Sequence, residues 1–226
     1  MNELIELLQH QHLVWQGSIK TPAQKKQSTG FEELDQHLDG GFLQGVTEIR
    51  SMEGIGELRL LLPTLKYAIE EQRLVVFIAP RGLISPQMLV TQGFDLQNFL
   101  LVYPDKHQDA LWTAEQCLRS GVCHSVVMWF DKSLAMHQIK RLQIASEAGN
   151  SHQFILRTNK QESLSLPVEL SLSLKPHPQG LIACINKRKG GWPSDKFIIN
   201  MEKYWPMLTL QPLPNNLVPF PKVKVS

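Results

Sequence analysis

Two closely spaced glycines lie in a segment of the kind that binds phosphate. Residues 51–58 read SMEGIGEL, with Gly54 and Gly56 at its centre. A phosphate-binding loop has the pattern GxxxxGK[ST]: its glycines let backbone amides converge on phosphate, its lysine neutralises charge and its hydroxyl holds Mg²⁺. The length of the segment and its second glycine fit this pattern, so nucleotide chemistry is the first function to compare with the residues.

The side chains of this segment do not fit that chemistry. Ser51 stands where the pattern has its first glycine, Glu57 where it has lysine, and Leu58 where it has a hydroxyl. A carboxylate about 4 Å from a phosphate charge repels it by roughly 1–4 kcal/mol, at effective dielectrics between those of water and of a protein surface. The segment therefore predicts a tight turn before a helix, with no catalytic residue and no cofactor.

A basic cluster beside an aromatic residue is the second candidate. It comprises Lys187, Arg188, Lys189 and Trp192. Basic side chains contact phosphate and aromatic rings stack on bases, which is how proteins hold single strands of nucleic acid. A solvated hairpin turn has the same composition. The sequence leaves these two interpretations open, and contact with nucleic acid or a partner protein is the functional one.

Histidine and cysteine form no metal-ligand pattern. His10 and His12 are two residues apart and would face different sides of a helix. The cysteines, which are Cys117, Cys123 and Cys184, have no CxxC spacing. We expect no bound metal, and we expect the cysteines to be buried free thiols.

The elements that must position these residues alternate between strand and helix after Ser28. Apolar runs predict strands at 46–50, 74–79, 100–103, 125–130 and 153–157. Helical periodicity predicts helices at 57–71, 109–120 and 133–148. This alternation predicts an α/β fold with a parallel sheet flanked by helices. Trp112 and Trp129 lie in these elements, and we expect both in the core.

Beyond Pro167 the apolar period changes to two, at 168–174 and 181–186, with a third short run at 197–201. It predicts a C-terminal antiparallel β extension of the sheet. The whole chain then divides into an N-terminal helix at 1–16, a linker at 17–27, a core at 28–205 and a Pro-rich tail at 206–226.

Both ends of the chain carry apolar residues that need a partner surface. Leu4, Ile5 and Leu8 form a stripe on the N-terminal helix. Such a stripe must be buried, by packing within the chain, by self-association or by partner binding. The tail mixes prolines with apolar residues, so it either docks as an extended peptide or packs on its own domain.

Composition excludes several classes of protein. The 226 residues, with 42% hydrophobic and 19% charged residues and a net charge of +2, are typical of a globular protein and not of a disordered or fibrous one. No run approaches the roughly 18 apolar residues of a membrane span. Glu3 and Glu6 stand where a signal peptide would be basic. We expect a cytoplasmic protein that does not contact membrane.

The order of these motifs resembles the core of the RecA recombinase. The segment STGFEELDQHLDGGFLQGVTEIRSMEGIGEL is similar to the opening of that core, and INKRKGGWPSDKFIIN is similar to its closing strands and basic turn. The resemblance covers about residues 28–202. It implies a RecA-like fold of the P-loop NTPase type, with degenerate Walker motifs.

Within this resemblance the catalytic positions have changed. The catalytic glutamate of the family falls on Arg81, and the end of the Walker B strand falls on Trp129, Phe130 and Asp131. Only Asp131 could still hold Mg²⁺, and an aspartate at a strand end is also a common cap. A short polar connection, TNKQESLS, follows Arg157 in place of the second DNA-binding loop. The resemblance thus implies that ATPase activity and filament-type DNA binding are lost.

A narrower resemblance is to ImuA, the RecA-like accessory protein of bacterial mutagenic cassettes. It is carried by GIGELRLLLP at 54–63, DALWTAEQCLRSG at 109–121 and IKRLQIASEAG at 139–149. It implies a non-enzymatic role in SOS-induced translesion DNA synthesis and mutagenesis after DNA damage. The implied partners are an ImuB-like Y-family protein, an error-prone C-family DNA polymerase assembly and RecA.

The related SulA family supplies the alternative. SulA is an SOS cell division inhibitor that binds the tubulin-like division protein FtsZ, and it keeps the same degenerate core in a shorter chain. The closing β region and tail of the present chain favour the ImuA resemblance. The sequence leaves open whether DNA is contacted directly.

Overall fold

A computed structural model describes residues 26–158 and 166–210 of the chain. The predicted N-terminal helix at 1–16 lies outside the described residues, as do most of the predicted linker and the tail beyond Leu210. Two free cysteines, Cys117 and Cys184, are half-buried and the third, Cys123, is buried.

Helices and strands alternate through most of the described chain. The helices are α1 Glu32–His37, α2 Glu57–Leu65, α3 Tyr67–Glu70, α4 Pro86–Thr91, α5 His107–Arg119 and α6 Met136–Gly149. The strands are β1 Lys26–Gln27, β2 Phe42–Leu43, β3 Gly45–Ser51, β4 Leu74–Ile78, β5 Phe99–Val102, β6 Cys123–Trp129, β7 His152–Thr158, β8 Leu170–His177, β9 Gly180–Arg188 and β10 Phe197–Asn200.

Eight strands form one sheet in the order β10-β9-β8-β3-β7-β6-β4-β5. The six strands from β8 to β5 in this order are mutually parallel, and β9 and β10 are antiparallel to their neighbours. The predicted α/β class is confirmed, with a mostly parallel sheet and an antiparallel end. The extension differs in one detail, because its first strand, β8, pairs in parallel with β3.

The sheet is packed on both faces. One face is covered by α1 to α4, and Phe77 and Phe154 lie in this core. Helices α5 and α6 cover the other face, where Val126 and Ile155 are buried. Strand β3 lies between β7 and β8, and every residue of it except Arg50 is buried. The loop that follows β3 is therefore anchored by a largely buried strand in the interior of the sheet.

Three expectations about burial are wrong. Cys117 and Cys184, which were expected to be buried thiols, are only half-buried. Trp112 is 60% exposed, because the buried stripe of α5 runs through Ala110, Ala114 and Leu118, and Trp112 faces away from it. Strand β5 was expected to be buried, but it is the edge strand, and Leu100 is 46% exposed. Trp129 is buried, as expected.

Short elements account for the other differences. The helices α1 and α4, each of six residues, lie in segments for which the sequence predicts no helix. The last two residues of the predicted linker form β1, which pairs with β2. The first residues of the predicted tail form a 3₁₀ turn at Pro206–Leu208. Within residues 26–158 and 166–210, no helix has the length and apolar character needed to cross a membrane.

Candidate functional site

The loop between β3 and α2 is held by its own glutamate. The Gly54 N–H donates to Glu57 Oε1 at 3.3 Å, and the Gly56 N–H donates to Glu57 Oε2 at 3.1 Å. Both glycines have positive φ, 74° and 107°, which side chains rarely adopt. The loop thus directs two backbone amides at one carboxylate, which occupies the position of an anion bound at the start of a helix.

The side chains of Ser51 and Leu58, the other two altered positions of the loop, are not placed to bind a nucleotide. Ser51 is buried at the end of β3, in register with Thr158 of β7. Leu58 is half-buried and packs against the core beneath α1 to α4. A phosphate entering this loop would have to displace Glu57 from its amides and would meet its negative charge. The residues present therefore do not fit a bound nucleotide and its Mg²⁺.

Asp131, the one carboxylate that the resemblance left for Mg²⁺, is engaged by protein groups. Its side chain forms an ion pair with Arg81, and Arg81 also pairs with Glu53 of the loop. Asp131 Oδ1 accepts hydrogen bonds from the Thr158 N–H at 3.0 Å and the Thr158 hydroxyl at 3.2 Å. These bonds connect the carboxyl ends of four neighbouring strands, β3, β4, β6 and β7. We name the chain Glu53, Arg81, Asp131 and Thr158 the polar brace.

Sequence reasoning missed a buried charged cluster beside this site. Glu48 on β3 accepts from Arg157 on β7 at 3.0 Å, pairs with Arg50 at 2.9 Å and accepts from the Ser171 hydroxyl on β8 at 2.8 Å. Arg157 also donates to the carbonyl of Lys132 at 3.1 Å. No spacing rule reveals this cluster, because its members come from three strands. It joins the centre of the sheet to the loop after β6.

The basic turn makes several contacts within the chain. Lys187 Nζ donates to the carbonyl of Leu166 at 2.7 Å, and Lys189 Nζ pairs with Glu169 at 2.8 Å. Arg188 pairs with Asp39, and its hydrogen bond and charge lower the pKa of that carboxyl. Trp192 is 88% exposed. The basic residues therefore lie in a hairpin turn that is held by contacts within the chain, which is the second of the two interpretations that the sequence allows. Trp192 projects from this turn.

Two histidines line a cavity at the amino ends of β6 and β7, away from the loop between β3 and α2. The cavity has a volume of about 370 Å³ and is bordered by His124, His152 and Gln27, among others. The Gln27 side-chain amide lies 3.0 Å from His124 Nε2, and the rings of the two histidines are 5.5 Å apart. Burial, and then the neighbouring His124, lowers the pKa of His152 to about 3. Nowhere in residues 26–158 and 166–210 do three metal-ligating side chains cluster.

The low pKa of His152 predicts that the protein loses stability in mild acid. The unfolded chain binds this proton below about pH 6.5, whereas the folded chain stays neutral until about pH 3. The free energy of unfolding should therefore fall by about 1.4 kcal/mol per pH unit across this range. Urea unfolding between pH 7 and pH 5 measures the slope. His152→Gln should flatten it, and an unchanged slope in this variant would assign the effect to other groups.

The described residues form an α/β fold with a mostly parallel sheet, in which a side chain fills the position of a phosphate-binding loop. Residues 45–153, just under half of the chain, match the family described as cell division inhibitor SulA. The RecA protein of Nostoc sp. is 30% identical over 126 residues, which are 55% of this chain and 34% of that protein. RecA of Rubrobacter xylanophilus is 33% identical over 127 residues, with 55% and 36% covered.

Among solved structures, SulA from Pseudomonas aeruginosa is 28% identical and matches with a TM-score of 0.43, covering 50% of this chain and 98% of that one. The chain spans about a third of the length of the RecA proteins it matches. About half of this chain is thus similar to SulA, and about half is similar to RecA proteins. These similarities do not distinguish an ImuA-like protein from a SulA-like one.

The filled loop predicts that MgATP does not stabilise the protein. A protein that binds a ligand at 1,000 times its Kd gains about 4 kcal/mol of stability, which raises the melting temperature by several degrees. We expect no shift in melting temperature with 1 mM MgATP, because Glu57 occupies the loop amides. A RecA protein measured in parallel provides the positive control. A shift of several degrees in the present chain would show that Glu57 can be displaced.

Proposed function

We propose that the chain is a non-catalytic RecA-like accessory protein of SOS-induced translesion DNA synthesis. In this role it is an adaptor that binds an ImuB-like Y-family protein, and through it an error-prone C-family polymerase assembly, with RecA as a further partner. The observation that carries the proposal is the hydrogen bonding of Glu57 to the loop amides of Gly54 and Gly56. A site held in this way is unsuited to turnover of ATP, and we therefore propose a role that depends on protein contact.

The polar brace supports the same conclusion. Arg81 and Asp131, at positions where the family has catalytic and Mg²⁺-binding groups, pair with each other. Ion pairs of this exposure contribute little to stability, at most about 1 kcal/mol each. These ion pairs fix the loops at the carboxyl ends of the strands relative to one another, and they do so in the absence of a ligand. We propose that this edge is preserved as a rigid scaffold.

The part of the sheet beyond the SulA match favours the adaptor over a division inhibitor. The match ends at residue 153, whereas β8, β9 and β10 continue the sheet to Asn200. These strands bury Leu172, Leu181 and Ile199 in the same core as α2. The extension is therefore built into the fold, and we propose that it serves a role additional to that of the SulA-like part.

A SulA-like role is the second candidate, and the family match over residues 45–153 is the observation that favours it. In that role the protein would bind the tubulin-like division protein FtsZ and block its polymerisation. Both candidates work by protein contact and neither uses ATP. The two candidates differ in the protein that the chain binds, which is an ImuB-like protein for the adaptor and FtsZ for the inhibitor.

The test is a binding assay of the full chain against an ImuB-like protein, RecA and FtsZ from one bacterium, each immobilised separately. We expect binding to the ImuB-like protein, with or without RecA, and none to FtsZ. Binding to FtsZ alone would overturn the adaptor and support the inhibitor. Overexpression in cells that lack their own SulA adds a cellular readout, because filamentation is expected only of the inhibitor.

The Pro-rich tail can be tested by truncation after Leu210. Truncation at residue 206 would be less clean, because the Leu210 N–H bonds the carbonyl of Pro178 at 2.8 Å and the 3₁₀ turn packs beside buried Trp205. If the tail docks on the partner, the shortened chain should bind more weakly. Unchanged affinity would mean that the tail has no part in partner binding.

We propose that DNA is reached through the partner and not through the basic turn. Lys187, Arg188 and Lys189 all make bonds within the chain, so binding phosphate would compete with these bonds. Fluorescence titration with single-stranded DNA should show no binding at 150 mM salt. Salt-sensitive binding that Trp192→Ala weakens would instead assign a nucleic-acid contact to the turn.

A further inference from the structure

A groove runs between α5 and α6 on the surface of the described fold. It has a volume of about 310 Å³, and its walls include Leu111, Trp112, Glu115, Gln138, Arg141 and Leu142. Trp112 is 60% exposed there. A large aromatic side chain at the rim of an apolar groove is typical of a protein-docking site.

Positive charge is in excess where the groove meets the next turn of α5, with Arg141 in the lining and Arg119 beside it. Glu115 is buried, and its two carboxylate oxygens pair with Arg119 and Arg141, whose side chains are 55% and 60% exposed. One carboxylate facing two guanidinium groups leaves a net charge of +1 at this point. An occupant should therefore combine apolar side chains with negative charge.

Residues 1–16 of the same chain have this combination. Their stripe of Leu4, Ile5 and Leu8 is flanked by Glu3 and Glu6. They contain no lysine or arginine. A predicted amphipathic helix with two acidic residues thus complements an apolar groove with two exposed guanidinium groups.

The chain is long enough for this contact. Described residues begin at Lys26, and Gln27 bonds His124, which lies five residues beyond the end of α5. Residues 17–25 can span about 30 Å when extended. Helix α5, with 13 residues, is about 20 Å long. The extended linker is therefore longer than the helix that forms one wall of the groove.

We propose that residues 1–16 dock in the groove between α5 and α6 of their own chain, with the apolar stripe against Trp112 and with Glu3 and Glu6 towards Arg119 and Arg141. This inference goes beyond the proposed function and does not depend on it. The docked segment would cover Trp112.

The first test measures the oxidation rate of individual tryptophans by hydroxyl-radical footprinting of the full chain. We expect Trp112 to be oxidised much more slowly than Trp192, and Leu4→Asp with Leu8→Asp to raise the Trp112 rate without changing the Trp192 rate. Trp192 is an internal control, because it is 88% exposed and lies on the hairpin between β9 and β10. Rapid oxidation of Trp112 in the wild-type chain would overturn the proposal.

The second test identifies the occupant by zero-length coupling of carboxylates to amines. Arg141→Lys keeps the charge and places an amine in the groove, and Lys140, which is not among the lining residues, is a control on the same helix. Mixed ¹⁴N and ¹⁵N chains are coupled and mapped by mass spectrometry. We expect links from Glu3 or Glu6 to position 141 within chains of one isotope. Links that join two isotopes would assign the groove to a second copy. Links to position 141 from its neighbour Glu115 alone, with none from Glu3 or Glu6, would assign the groove to another occupant. Both results overturn the proposal.

Discussion

Replacement of Glu48 by alanine should lower the free energy of unfolding by about 3–5 kcal/mol. The Glu48 side chain is 1% exposed and that of its partner Arg157 is 3% exposed. Without Glu48, a guanidinium group stays buried without its carboxylate, and the Ser171 hydroxyl loses its acceptor. Urea unfolding of the two proteins at pH 7 measures the difference.

Two further variants separate the charge effect from general loss of packing. Glu48→Leu with Arg157→Met removes both charges and should cost much less than Glu48→Ala, because an apolar replacement of a buried pair is often close to neutral. Glu53→Ala breaks the ion pair with Arg81, but Glu53 is 61% exposed, so the expected cost is below about 1 kcal/mol. If Glu48→Ala cost no more than Glu53→Ala, the buried cluster would not be the structural element that we infer.

The sequence predicts the parallel strands well, because a strand buried on both faces needs a continuous apolar run. The runs around Val76, Val127 and Ile155 all become central strands. The same reasoning fails for β5, whose Leu100 and Leu101 have the same composition but lie at the edge. Position within a sheet depends on pairing between distant segments, which an apolar run does not specify.

Helix faces are predictable only when the neighbouring element is known. The periodicity of α5 correctly places Ala114 and Leu118 towards the sheet. The sequence places Trp112 in the core because large aromatic residues normally pack in such elements, although its angular position is opposite that of Ala114. An exposed tryptophan in a helix is informative for this reason, since the packing of its own domain does not account for it.

The loss of a nucleotide site is predicted by residue types, whereas the arrangement that replaces it is not. Glu57 and Leu58 in a phosphate-loop pattern indicate the loss. That Glu57 bonds the amides of Gly54 and Gly56 depends on its rotamer. The pairing of Arg81 with Asp131 depends on strand order, because the two residues follow neighbouring strands β4 and β6 that are distant in sequence.

Replacement of Gly149 by alanine should destabilise the protein by about 3 kcal/mol, at the upper end of the range for overpacking. Gly149 ends α6, and a Cβ atom there would lie 1.8 Å from the carbonyl oxygen of Leu118 and 2.9 Å from its carbonyl carbon. The Gly149 carbonyl also accepts a hydrogen bond from Arg73 at 2.7 Å, so the helix end is held in place and cannot move away freely. Thermal and urea unfolding measure the loss.

The sign of this effect tests the packing of α6 against the end of α5. Helix propensity alone would make Gly149→Ala stabilising by up to about 1 kcal/mol, because alanine favours the helix. Ala148→Gly at the neighbouring exposed position is the matched control, and propensity gives it a loss of about 1 kcal/mol. Close packing predicts that both variants lose stability and that Gly149→Ala loses more. A gain in Gly149→Ala would mean that the two helix ends do not approach this closely.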